Sequence, residues 1–199
     1  LKSNKFYSKV IKVDSKKLKN FLKNINNDYF STEANKENLS FILKLSKKLS
    51  LKKNLLIASV QKFRGLKYRQ QIVFKNKYLT IINDSKSTSF SSSLSILKKH
   101  LNIYWLLGGI HKSQDRFTLS KKYFKNIKAF VFGNNKKFFN SKLKNKIEYK
   151  NFKDLNTAFK KILMTIKINK TKHQTILFSP CAASFDEFKN FEERGSYFN

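Results

Sequence analysis

Between residues 71 and 178 the chain alternates short apolar runs with stretches of helical spacing, and few folds accept that order. Ile103-Tyr104-Trp105-Leu106-Leu107 is apolar throughout, as a strand covered on both faces would be, and Gly108-Gly109 closes it. Comparable runs follow at 127–132, ended by Gly133, and at 175–178, ended by Ser179 and the only proline, Pro180. A shorter run at 147–149 lies between them, and helical spacing fills 119–125, 136–143 and 154–166. Upstream, 71–74 and 78–82 are joined by Lys75-Asn76-Lys77 and read as a hairpin, after which 90–101 reads as a helix. Strands alternating with helices imply an α/β fold: a mostly parallel sheet with crossover helices and one hairpin at its start.

The first 65 residues have a different character. A loose alternation over 6–13 suggests a strand, Asp14 is a candidate N-cap for a helix over 17–25, and Asn26-Asn27-Asp28 has turn chemistry. Helices are expected over 35–49 and 53–63, with Gly65 ending the second. These elements alone would make a poor domain.

A net charge of +31 invites a nucleic-acid interpretation, and a basic α/β nucleic-acid-binding module is one open alternative. The distribution argues against it. Only Arg64, Arg69, Arg116 and Arg194 of the 43 basic residues are arginine, and the lysines are spread from end to end. Nucleic-acid surfaces favour clustered arginine and a local stripe. With 40% hydrophobic and 15% aromatic residues the chain has material for a core, which argues against disorder. Its single cysteine, Cys181, fits a reducing compartment. No signal-peptide pattern is present, and no apolar run approaches the roughly 20 residues of a membrane span, so the expectation is a cytoplasmic protein that contacts no membrane; a monomer is expected as well.

Three loops at strand ends gather the chemically interesting groups: residues 83–88, 108–115 and 179–191. In an open α/β sheet such loops share the carboxyl edge, where ligands bind. Asp84, Lys86, Lys112 and several hydroxyls would then meet, a set suited to an anionic ligand that carries an amine. Ser184 and Glu187 have capping-box spacing, which places a helix N-terminus, and its free N–H groups, at that edge. Each feature has an ordinary counterpart. The loop can be a plain strand-to-helix connection, Lys112 a solvated lysine, and the acids from Asp186 to Glu193 a solvated helix face. His100, His111 and His173 lack metal-ligand spacing, no metal site is expected, and Cys181 has no histidine partner for nucleophilic work.

Taken together, these segments resemble a known family. Asn83-Asp84-Ser85-Lys86-Ser87-Thr88 resembles the N-D-S-K-A-T motif of the Mur ligases that add D-glutamate, and Leu107-Gly108-Gly109-Ile110-His111-Lys112-Ser113 resembles their L-G-G-x-x-K-S loop. Residues 179–195 are similar to S-P-A-C-A-S-F-D-x-F-x-N-F-x-x-R-G, with Cys181-Ala182 in reverse order. Residues 63–69 resemble F-x-G-L-x-H-R with Tyr68 in place of histidine, and 34–38 resemble H-N-x-x-N with Ala34 in place of histidine.

The resemblance implies a Rossmann-like C-terminal Mur ligase domain over 66–199, preceded over 1–65 by the helical tail of a central ATPase domain. It implies an ATP-dependent amide ligase of peptidoglycan precursor synthesis that joins D-glutamate to UDP-N-acetylmuramoyl-L-alanine through an acyl phosphate. Carried over by position, Thr88, Lys112, Ser184, Phe185 (through its backbone) and Phe191 hold D-glutamate. Asn35, Asn38, Arg69 and Asp84 surround ATP, and Lys86 is the catalytic lysine near the reacting phosphate. ATP and Mg2+ are the implied cofactors, with Mg2+ held mainly by portions of the family architecture that this chain lacks. The five glycines do not form a phosphate loop, so the resemblance also implies a fragment inactive by itself, or a decayed paralogue.

Overall fold

A computed structural model of the chain describes residues 13, 21, 25–166 and 172–199. The strand expected over 6–13 and most of the helix expected over 17–25 lie outside the described residues. The chain divides into two compact units, Leu1–Arg64 and Gly65–Asn199.

In the first unit, α1 (Glu33–Lys48) begins at Thr32, whose hydroxyl accepts from the Asn35 N–H, and α2 (Lys53–Lys62) follows. Phe30, Leu39 and Val60 form its small core. The Asn27 side chain reaches the C-terminal end of α2, donating from Nδ2 to the carbonyls of Val60 at 2.7 Å and Phe63 at 2.8 Å.

The second unit is a six-stranded sheet. Its strands are β1 (Gln71–Lys75), β2 (Leu79–Asn83), β3 (Ile103–Gly108), β4 (Ile127–Phe132), β5 (Glu148–Asn151) and β6 (Gln174–Phe178), ordered β1-β2-β6-β3-β4-β5. β1 pairs antiparallel with β2, and every other pairing is parallel, so the expected hairpin and parallel sheet are both present. The last strand in sequence, β6, lies between β2 and β3. The loops that follow β2, β6 and β3 are therefore neighbours.

Side-chain alternation along the central strands builds two cores. Trp105, Leu107, Leu177 and Val131 meet α3 (Phe90–Lys99) and α4 (Lys136–Leu143) on one face, through Phe90, Leu97, Phe139 and Leu143. Leu106, Phe130, Ile176 and Phe178 meet α5 (Leu155–Thr165) on the other, through Leu155, Ala158 and Ile162. Each such side chain removed from water contributes about 1.5–3 kcal/mol. This two-sided cover is why the strands read as continuous apolar runs.

Two expectations need correction. Over 119–125 the chain forms a 3-10 helix, Lys121–Asn126, in place of an α-helix, and it buries no residue fully. The capping box at Ser184 and Glu187 does not start a helix either. Residues 184–188 make a single turn, in which the Ser184 carbonyl accepts from the N–H groups of Glu187 and Phe188, and the last helix, α6 (Phe191–Phe198), begins seven residues later. Asn190 is the better cap: its Oδ1 accepts from the Glu193 N–H at 2.8 Å while the Glu193 carboxylate accepts from the Lys189 N–H at 2.7 Å.

Candidate functional site

The loop after β2 is held from three directions. Asn83, fully buried, accepts the Ser85 N–H on Oδ1 and donates from Nδ2 to the Gly195 carbonyl and to Asn199, which ties the strand end to α6. Asp84 takes the Gln70 N–H on one carboxylate oxygen at 3.0 Å and the Ser179 hydroxyl on the other at 2.7 Å. Burial pushes the Asp84 carboxyl up to about 7, against the pull of Ser179, Gln70 and the Arg69 cation. The Lys86 N–H donates to the Tyr68 carbonyl at 3.0 Å.

The loop after β6 starts under the only tryptophan, whose Nε1 donates to the Ser179 carbonyl at 2.8 Å. It then crosses the end of β3, where Ile110 and Ala183 exchange two backbone hydrogen bonds of 3.0 and 2.8 Å. That crossing needs Gly109: a Cβ there would come within 2.5 Å of the Ala183 carbonyl oxygen, at a φ of +122°. The loop after β3 turns back through Asp115, whose carboxylate accepts from the Phe90 N–H at 2.7 Å and so adds to the Ser89–Ser92 capping box at the start of α3. Cys181 is fully buried among Ser87, Ser93 and Ser179, with burial pushing its thiol well above the usual range. It is part of the core on that face of the sheet.

One residue ties two of these loops together and packs against the third. Arg194, from α6, is 1% exposed. Its Nε donates to Ser85 Oγ at 3.1 Å, and its Nη2 donates to the Ser85 carbonyl at 2.7 Å and the Ala182 carbonyl at 2.9 Å. Its Nη1 lies against Gly109, 3.2 Å from where a Cβ would sit. Burial lowers its pKa to about 10, so it stays charged at neutral pH. The guanidinium fork suits this place because three donors in one plane reach two chain segments together. Ser85 Oγ in turn donates to the Phe191 carbonyl at 2.9 Å, and Lys86 Nζ rests 3.5 Å from the centroid of the Phe191 ring.

The chain is 33% identical over 184 residues to the UDP-N-acetylmuramoylalanine–D-glutamate ligase of Wolbachia pipientis wMel, a match covering 92% of this chain and 36% of that protein. The chain belongs to the Mur ligase family. It is also 35% identical over 170 residues to the ligase of the same name from Francisella tularensis (strain WY96-3418), over 83% of this chain and 40% of the relative. The match falls on the C-terminal portion of these relatives, so the chain spans little more than a third of their length. No family model matches it. Among solved structures, UDP-N-acetylmuramate-alanine ligase MurC from Thermotoga maritima superposes with a TM-score of 0.54 at 16% identity, over 84% of this chain and 39% of that one. MurF from Acinetobacter baumannii gives 0.56 at 13%, over 75% and 34%. The shared fold is that of the Mur ligases.

Within this Mur ligase fold the expected site residues divide into groups. Lys86, Thr88, Lys112, Ser184, Phe185 and Phe191 all lie on the three loops or at the start of α6. Lys112 and Phe185 are exposed, Ser184 is 3% exposed, and Lys86, Thr88 and Phe191 are half-buried. Arg69 is exposed near Asp84, whose oxygens are already engaged inside the fold. Asn35 and Asn38 belong to α1 in the other unit, where Asn35 is buried and donates to the Tyr29 carbonyl at 2.7 Å while Asn38 faces out. Sequence reasoning assigned no role to Arg194, Asn83 or Asp115. Arg194 was visible as the x-x-R-G of the terminal motif, but nothing in a sequence says that it turns inward. Among the described residues no group of three or more His, Cys, Asp or Glu is placed to hold a metal, so Mg2+ finds no ligand set among them. No helix among them is long and apolar enough to cross a membrane.

Proposed function

We propose that this Mur ligase chain carries the amino-acid-binding part of an ATP-dependent amide ligase, which joins D-glutamate to UDP-N-acetylmuramoyl-L-alanine in the cytoplasm. The observation that supports it most is the pair of ties at the carboxyl edge of the sheet: Arg194 joins the loop bearing Lys86 and Thr88 to the loop bearing Ser184, and the Ile110–Ala183 bridge joins the latter to the loop bearing Lys112. D-Glutamate is a dianion with an ammonium. Lys112 would meet a carboxylate as a cation, Thr88 and Ser184 as hydroxyl donors, and the Phe185 backbone as an N–H donor, with the Phe191 ring against the carbon chain. Charge-assisted bonds of this kind contribute about 1.5–3 kcal/mol each. Lys86 would stabilise charge on the phosphate that leaves as the amine attacks the acyl phosphate.

In the same proposal residues 1–65 belong to the central ATP-binding domain and 66–199 to the C-terminal domain. Asn35, Asn38, Arg69 and Asp84 then serve ATP, with Asp84 acting from within by shaping the loop. The test is a chimera in which this chain replaces the matching portion of the Wolbachia ligase. Phosphate release from ATP is measured with UDP-N-acetylmuramoyl-L-alanine and magnesium, with D-glutamate present, omitted, or replaced by L-glutamate. Release that requires D-glutamate and falls at least tenfold in Lys112→Ala is expected. Turnover that ignores the identity of the amino acid, or is unchanged in Lys112→Ala, would overturn the assignment.

A further inference from the structure

The contact between Lys86 and Phe191 is built into the fold. Both backbones are pinned on either side of it: the Lys86 N–H donates to the Tyr68 carbonyl, and Ser85 Oγ donates to the Phe191 carbonyl at 2.9 Å. Ser85 is itself held by two nitrogens of the buried Arg194. The Phe191 ring stands at the first position of α6, where Asn190 fixes the helix start. Nothing is left to chance but the lysine stem, and its ammonium comes to rest 3.5 Å from the ring centroid. A half-buried cation over an aromatic face gains enough to bias one rotamer but too little to hold it against a phosphate or carboxylate at hydrogen-bond distance.

We propose that Phe191 is a positioning residue for Lys86: its ring holds the ammonium between the β2 loop and α6 until an anionic group enters and draws it off. This deepens the ligase assignment and rests on it for the identity of the anion. It gives Phe191 a task that sequence position alone did not suggest, since the ring would serve the phosphate-facing lysine as well as the amino acid. It also couples the two substrates. A D-glutamate seated against Phe191 and a phosphate beside Lys86 would compete for, or jointly displace, the same contact.

The test reads the lysine directly in the 199-residue chain. A proton held over a ring face resonates upfield, so one lysine ε-methylene should lie apart from the rest in a proton–carbon correlation spectrum, and Lys86→Arg should remove it. Phe191→Leu should return it to the ordinary lysine position, Phe191→Tyr should keep it upfield, and Phe188→Leu, on a ring that packs against Tyr197, should leave it in place. Loss in Phe191→Leu with retention in Phe191→Tyr separates the ring from general damage to the fold. An ordinary Lys86 shift in the free chain would overturn the proposal, as would an upfield shift unmoved by Phe191→Leu. Titration with D-glutamate and with inorganic phosphate then separates the two readings. An upfield signal that phosphate moves and D-glutamate does not would support the clamp and count against D-glutamate as the amino acid.

Discussion

Asp84 is a carboxyl kept where its charge is unwelcome. Burial pushes it up to about 7, from an ordinary value of 3.8, so at acid pH the folded state holds a proton that the unfolded chain has lost. A raised carboxyl stabilises the fold when protonated, and that contribution is lost as pH climbs from about 4 through 7. Removing the ionisation as Asp84→Asn should therefore make the variant gain on the parent over that window. At about 1.4 kcal/mol per tenfold change in proton affinity the difference is of order a few kcal/mol. Urea midpoints of both proteins from pH 4 to 8 check it, and parallel curves would show that Asp84 is not buried as described. Arg194 presents the opposite problem, a charge whose partners are neutral oxygens. Arg194→Lys keeps the charge but cannot serve Ser85 and Ala182 together, so a loss of about 2–4 kcal/mol is expected by chemical denaturation. A change below ~0.5 kcal/mol would mean that the three loops hold together without it.

At the level of elements, the sheet was legible because its strands are buried on both faces, and continuous apolar runs such as Ile103 to Leu107 have few other uses. The start of α6 was not legible. Ser184 and Glu187 carry the right spacing, but Ala183 is already committed to a bridge with Ile110 across the sheet edge, and the chain must turn once more before Asn190 can cap a helix. Local spacing cannot report a contact 73 positions away. The same limit hid the inward course of Arg194 and the reach of Asp115 to the first N–H of α3. The packing of α6 can be tested at Gly195, where a Cβ would meet the Tyr68 ring at 2.3 Å. Tyr68 sits at a φ of +61° and cannot readily step aside. Helix propensity alone favours Gly195→Ala by up to about 1 kcal/mol, whereas overpacking costs about 1–3 kcal/mol, so a net loss is expected. Combined with Tyr68→Ala, the same substitution should cost nothing or stabilise, a coupling that a double-mutant cycle reads from four urea midpoints. Additive losses would mean that the ring and the helix do not touch.

Over the whole molecule the charge of +31 is a load on the fold rather than a tool of the site. The groups that build the site are one buried guanidinium, hydroxyls, backbone amides and two lysines, and most of the other described lysines are exposed. An exposed pair such as Lys128–Glu148, at 3.6 Å with both side chains more than half exposed, contributes at most about 1 kcal/mol and weakens with salt. Repulsion among so many lysines is screened by the same salt, over a Debye length that falls to about 8 Å at physiological ionic strength. Repulsion outweighs pairing here, because 43 basic residues face only 12 acidic ones. Raising sodium chloride from about 0.02 M to about 0.3 M should therefore stabilise the Gly65–Asn199 unit by about 1 kcal/mol, or ~2–4 °C in melting temperature. If the lysines are diffuse, chloride and sulfate should act alike once matched for ionic strength. Saturation at low millimolar sulfate that persists in the Lys86→Ala, Lys112→Ala double variant would instead reveal a clustered anion site elsewhere on the surface, and the view of the lysines as a spread, solvated surface would then fail.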